Sequence, residues 1–112
     1  MWLATKLGFY SIVRKDDGVH VRSRVLQDLQ NLVSAAGLRQ EIQTWPAADH
    51  RFRIIISSEQ LARVMTALTN SIDYSNFKSM IGNTPDQKGK SKAYGSIWST
   101  MYALQDSEPH GA

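Results

Sequence analysis

The chain has 112 residues, with 13 Lys plus Arg against 10 Asp plus Glu and no cysteine. That length suits one domain with a core of its own, and the missing thiols exclude disulfides, thiol nucleophiles and cysteine zinc sites. A net charge of +3 admits an anionic partner without requiring one.

No apolar run approaches the ~18 residues of a membrane span. Lys6 interrupts the apolar opening, which therefore reads as a strand and not as a signal peptide. A small cysteine-free domain suits a reducing interior, so the expected location is the cytoplasm.

Residues 2–14 favour strand, with Trp2, Phe9, Tyr10, Ile12 and Val13 as formers and Gly8 marking a bend or bulge. Alternation places Phe9, Ser11 and Val13 on one face, and Tyr10, Ile12 and Arg14 on the other. Asp16-Asp17-Gly18 is a hairpin turn in which Gly18 supplies a positive φ. Period-two alternation then runs to Arg24, with His20, Arg22 and Arg24 on one face and Val19, Val21 and Val25 on the other.

Helical spacing takes over near Val25 and runs to Ala36, where Gly37 is the C-terminal cap. The expected core stripe is Val25, Leu29, Leu32, Val33 and Ala36. Glu41 to Trp45 is a short strand that Pro46 ends or confines to an edge, and Arg51 to Ile56 is the next. In that strand Phe52, Ile54 and Ile56 should face the core, with Arg53 and Ile55 opposite.

Ser57 with Gln60 matches a capping box for a second helix carrying Leu61, Val64, Met65, Leu68 and Ile72. Residues 73–81 are irregular or one short helical turn, Gly82 to Pro85 break the chain, and 86–92 read as a mobile lysine-rich loop. A last helix spans about 91–105, its stripe being Tyr94, Ile97, Trp98, Met101, Tyr102 and Leu104.

The order is ββαββα plus a last helix. It implies an α+β fold: a single-layer antiparallel sheet of about four strands with helices packed on one face, ferredoxin-like or a related sandwich. One domain is expected over 1–106, with a flexible tail over 107–112.

Chemistry concentrates in a basic stripe. Lys6, Arg14, Lys15, His20, Arg22, Arg24 and Arg53 come from strands or their ends; Arg22 and Arg24 would contact the ligand with Lys6 and Arg53 flanking, and Tyr10 would stand among them as a stacking ring. An open sheet face of cations and an aromatic suits single-stranded nucleic acid or a phosphorylated small molecule. The plainer alternative is a solvated face whose arginines cross to Asp16, Asp17, Asp28, Glu41 or Asp49. The aromatic sheet consensus of RNA-recognition domains is absent.

Gly89-Lys90-Ser91 lacks the upstream glycine of a phosphate-binding loop, since that position is Thr84. Asp73, Tyr74, Asn76 and Lys78 are a candidate pocket after the second helix, set against a simple chain reversal. His20, His50 and His110 are scattered, so neither a metal site nor a cofactor is expected. The wide aromatic arc of the last helix is core or a self-association surface.

Met1-Trp2, Thr5-Lys6, Gly8-Phe9-Tyr10-Ser11 and Val13 form a distinctive set with Val21-Arg22-Ser23-Arg24, Asp28-Leu29, Asp73-Tyr74, Asn76-Phe77-Lys78, Trp98 and Met101-Tyr102. The set resembles a group of small bacterial proteins to which no activity is attached. The resemblance covers nearly the whole chain and implies a single-domain bacterial protein, with no mechanism.

The expected role is therefore non-enzymatic: binding of nucleic acid or a nucleotide on the basic sheet face. The alternatives are a homo-oligomeric module built on the aromatic helix, and an enzyme using the Asp73 to Lys78 pocket.

Overall fold

The opening strand breaks in two, and the break accounts for a sheet of five strands where about four are expected. In a computed structural model describing residues 1–109, Trp2–Ala4 is β1 and Phe9–Lys15 is β2. Between them the Thr5 hydroxyl donates to Gly8 O at 2.8 Å and accepts from the Leu7 and Gly8 amides. Gly8 is required by close approach: a Cβ there would lie 2.4 Å from Asp28 Cβ.

Gly18–Ser23 is β3, Leu26–Ala36 is α1, Gln43–Thr44 is β4, Phe52–Ile56 is β5 and Ser58–Asn70 is α2. All pairings are antiparallel, in the order β1-β2-β3-β5-β4. The Asp16-Asp17 turn joins β2 to β3, with Gly18 at φ 135° opposite Lys15.

The change from strand to helix falls where the periodicity changes, and Gly37 closes α1 at φ 63°. Ser57 and Gln60 make the reciprocal capping box of α2: Gln60 N donates to Ser57 Oγ at 3.2 Å, and Ser57 N to Gln60 Oε1 at 2.9 Å.

The chain forms two compact units, Met1–Asp73 and a second beginning at Tyr74. In the first, α1 and α2 cover one sheet face. Tyr10, Ile12, Val19, Val21, Ile54 and Ile56 meet Leu29, Leu32, Val64 and Leu68 there. Two expected core residues are corrected: Val25, at the N-cap of α1, and Ile72, beyond α2, are both exposed. Each lies outside the helical turns whose stripe meets the sheet.

In the second unit Phe77–Gly82 is α3, residues Lys88–Lys90 make a 3₁₀ turn, and Ser91–Asp106 is α4. The lysine-rich segment is thus partly helical and leads directly into α4. Lys90 Nζ donates to Gln87 Oε1 at 2.8 Å, and Gln87 is buried. Within the unit, Phe77 meets Tyr94 edge-on with centroids 5.0 Å apart, and Ile81 is buried.

Of the α4 stripe, expected as core or as a self-association surface, only Tyr94 is buried; Ile97, Trp98, Met101, Tyr102 and Leu104 are exposed. The end of the expected tail, with His110, lies outside the described residues. Among the described residues no helix is long and apolar enough to cross a membrane.

Candidate functional site: the polar face of the sheet

The face of the sheet away from α1 and α2 is built from alternate positions on three strands. Register puts Ser11 opposite Arg22 and Val13 opposite His20, then Arg22 opposite Arg53 and His20 opposite Ile55. Gln43 pairs with Arg53 from β4, so Trp45, two residues on, returns to the same face. Its Nε1 donates to Gln43 Oε1 at 2.9 Å, and its ring lies over the Arg53 guanidinium, 3.8 Å from Cζ to the centroid. The ring centroid of His20 stands 6.1 Å from that of Trp45, edge-on.

This face is not an open solvated surface. His20 is 1% exposed, Arg53 3% and His50 4%, while Arg22 is half-buried. Arg53 Nη1 reaches His20 Nδ1 at 3.2 Å and Nη2 donates to His50 O at 3.3 Å. Arginine can only donate, so Nδ1 accepts and the ring hydrogen sits on Nε2, 2.7 Å from Asp17 Oδ1. An Asp17–His20–Arg53 chain therefore runs across the sheet. The hydrogen bond from His20 holds the Asp17 carboxyl below its usual range.

Arg22 Nη2 donates to Ser11 Oγ at 2.7 Å. Exposed Arg24 stands 3.4 Å from Asp49. Among the described residues neither Arg22 nor Arg53 has a carboxylate partner. Burial, and then the charge of Arg22, push the Arg53 guanidinium down from its ordinary value, with Asp17 opposing. Burial first, then the charges of Arg24 and Arg22, push His50 below its ordinary value, with Asp49 opposing.

Two of the five residues expected on a common face are elsewhere. Tyr10 is fully buried on the helix-covered face, where its hydroxyl donates to Asp28 O at 2.6 Å. Odd and even positions of β2 oppose one another, so Tyr10 cannot share a face with Ser11. Lys6 lies in the bend before β2 and donates to both oxygens of Asp73, at 2.9 and 2.8 Å. That contact holds the Asp73 carboxyl below its usual range.

Arg22 and Arg53 do come together, with Arg24 at the strand end. His50 and Trp45 were not anticipated, because the link between β4 and β5 must fold back before either reaches Arg53. Trp45 following Gln43 at strand spacing was the only signal available.

The residues of the other candidate pocket have separate partners. Asp73 belongs to the first unit and holds Lys6. In the second unit Asn76 Oδ1 accepts from Ser79 N at 2.9 Å and caps α3. The Tyr74 ring is tilted against Phe77, 6.0 Å between centroids. Lys78 Nζ lies 4.4 Å from the Trp98 ring centroid, and Trp98 in turn stacks on Tyr102.

Among the described residues no three His, Asp or Glu side chains gather as a metal ligand set. Comparison of the chain with protein-family models, curated proteins and solved structures finds no match in any of the three.

Proposed function

We propose that the protein binds a phosphorylated ligand, a nucleotide or a short single strand of nucleic acid, through the polar face of its sheet. The observation that carries this reading is the juxtaposition of Arg22 and Arg53 on neighbouring strands without a carboxylate between them. Like charges directly opposite in a sheet are destabilising, and an anion is the partner that relieves them. Arg24 extends the positive charge beyond β3, and Trp45 is 38% exposed on the same face. Trp2, opposite Ser11 on β1, is also exposed. These two indoles take the stacking role that Tyr10 cannot, since bases stack on aromatic faces with little sequence preference.

The test is anisotropy of labelled single-stranded oligonucleotides over a salt series. Two phosphate contacts predict a log–log salt slope of about −1.4, with binding lost in Arg22→Ala/Arg24→Ala. Absence of binding at low salt, or binding unchanged by that double substitution, ends the reading.

A second reading has its own observation: α4 exposes Ile97, Trp98, Met101, Tyr102 and Leu104 along adjoining turns. Self-association through this stripe predicts concentration-dependent sedimentation that Trp98→Ser/Met101→Ser abolishes. A strict monomer at all concentrations removes it.

A further inference from the structure

Among the described residues, four buried nitrogens on the polar face have no hydrogen-bond partner: Arg22 Nε, Arg53 Nε, and Nδ1 and Nε2 of His50. Buried donors without acceptors cost free energy that only a partner recovers. Here they belong to three side chains of one cluster, since Arg22 faces Arg53 across the strands and Arg53 holds the His50 carbonyl. The nearby carboxylates are engaged: Asp17 Oδ1 by His20, and Asp49 Oδ2 by Arg24 at 3.4 Å, with His50 Nδ1 3.5 Å from it but not hydrogen-bonded. Two guanidinium charges thus stand without a carboxylate partner among the described residues, and each Nε and the His50 ring have no hydrogen-bond partner there.

We propose that Arg22, Arg53 and His50 seat a terminal phosphate, entering as the Trp45 ring turns off the Arg53 guanidinium. The inference deepens the reading above and rests on it for whatever the phosphate is attached to.

Guanidinium groups match oxyanions, and a phosphate group offers the several acceptor oxygens that donors from β3, β5 and the preceding loop require. A carboxylate has only two oxygens, in one plane, and a single charge. A terminal phosphate carries close to two negative charges at neutral pH, which suits two arginines. It also has one ester link, so a single exit suffices. A phosphate inside a strand needs two exits from a place where the donor atoms are fully enclosed.

Trp45 is the movable cover. It is the half-exposed member of the cluster, and its ring holds the position above Arg53 by stacking and by one hydrogen bond to the exposed Gln43. Turned outward, the same indole can lie against a base.

The experiment uses the full chain with Trp2→Phe and Trp98→Phe, so that Trp45 alone reports. Inorganic phosphate, titrated at constant ionic strength against chloride, should change Trp45 emission saturably and raise the Tm. Arg22→Gln and, separately, His50→Gln should each weaken phosphate at least about tenfold, the loss expected of one charge-assisted contact. An oligonucleotide with a 5′-phosphate should bind at least about tenfold tighter than the same sequence with a 5′-hydroxyl.

No saturable response to phosphate, or equal affinity in both variants, overturns the seat. Equal binding of the two oligonucleotides, both dependent on Arg22 and Arg24, also overturns it while leaving nucleic-acid binding intact. Saturation by phosphate without binding of any oligonucleotide supports the seat and removes the nucleic-acid reading.

Discussion

On one face of the sheet Tyr10, Ile12, Val19, Val21, Ile54 and Ile56 meet the apolar stripes of α1 and α2. On the other, Ser11, His20, Arg22 and Arg53 occupy the intervening positions of the same strands. His20, Ser11 and Arg53 are buried nearly as completely as the isoleucines. The difference is in what burial does. Apolar side chains gain free energy by leaving water, whereas a buried arginine must recover its lost hydration from partners. Arg53 recovers it from His20, the His50 carbonyl and the face of Trp45, and not from a carboxylate. One face is therefore a source of stability, and the other is close to neutral.

The largest effect should come from the apolar face. Ile54→Ala removes a fully buried side chain between α1 and β3 and should cost about 2–5 kcal/mol in urea unfolding. A cost under about 1 kcal/mol would mean that this face collapses around the gap.

Gly8→Ala tests the approach of α1 to the start of β2, where the new Cβ would meet the buried Asp28 side chain. Overpacking of this kind should cost about 1–3 kcal/mol by the same measurement.

Arg53→Met, similar in bulk and uncharged, should cost only about 1 kcal/mol. It leaves the His20 and His50 acceptors without their donor but removes the repulsion from Arg22. A loss as large as that of Ile54→Ala would erase the contrast between the faces.

The smallest expected effect is on pH dependence. Folding depresses the His50 value from 6.5, so the folded chain holds fewer protons than the unfolded one below that point. The contribution of His50 is full above 6.5 and declines as the pH falls below it. Unfolding free energies across that range should fall in the parent protein and stay flatter in His50→Gln. The depressed carboxyls of Asp17 and Asp73 act later, losing their contribution as the pH falls below 3.8. Identical slopes for parent and variant would mean that His50 meets water when folded.

Much of the fold was legible because its signals are local. Asp16-Asp17-Gly18 turned as expected, Ser57 and Gln60 capped α2, and Gly37 closed α1. The break at residues 5–8 was readable only as a bend at Gly8; the second strand it creates depends on the Thr5 hydroxyl and on Asp28, 20 residues beyond Gly8. Helical spacing in α4 was equally plain, but spacing says which residues share a side and not what lies against it. Spacing therefore left Trp98 and Met101 as core or surface, and in the structure they stand exposed. The candidate site divides in the same way. Arg22, Arg24 and Arg53 were placed together, Tyr10 was assigned to the wrong company, Trp45 left only its strand spacing from Gln43, and His50 left no local trace.

Period-two alternation from Val19 to Arg24 determined by itself that His20 and Arg22 share a face, because successive side chains of a strand point to opposite sides. The sequence likewise decided where α1 ends and α2 begins, since the glycine and the capping box act within a turn of their own position. Only the tertiary structure decided that His20, His50 and Arg53 are enclosed on the basic face. Residues 20, 45, 50 and 53 meet through strand pairing and through the return of the chain between β4 and β5. Desolvation of an arginine is a property of everything packed around it, which no spacing within one strand specifies.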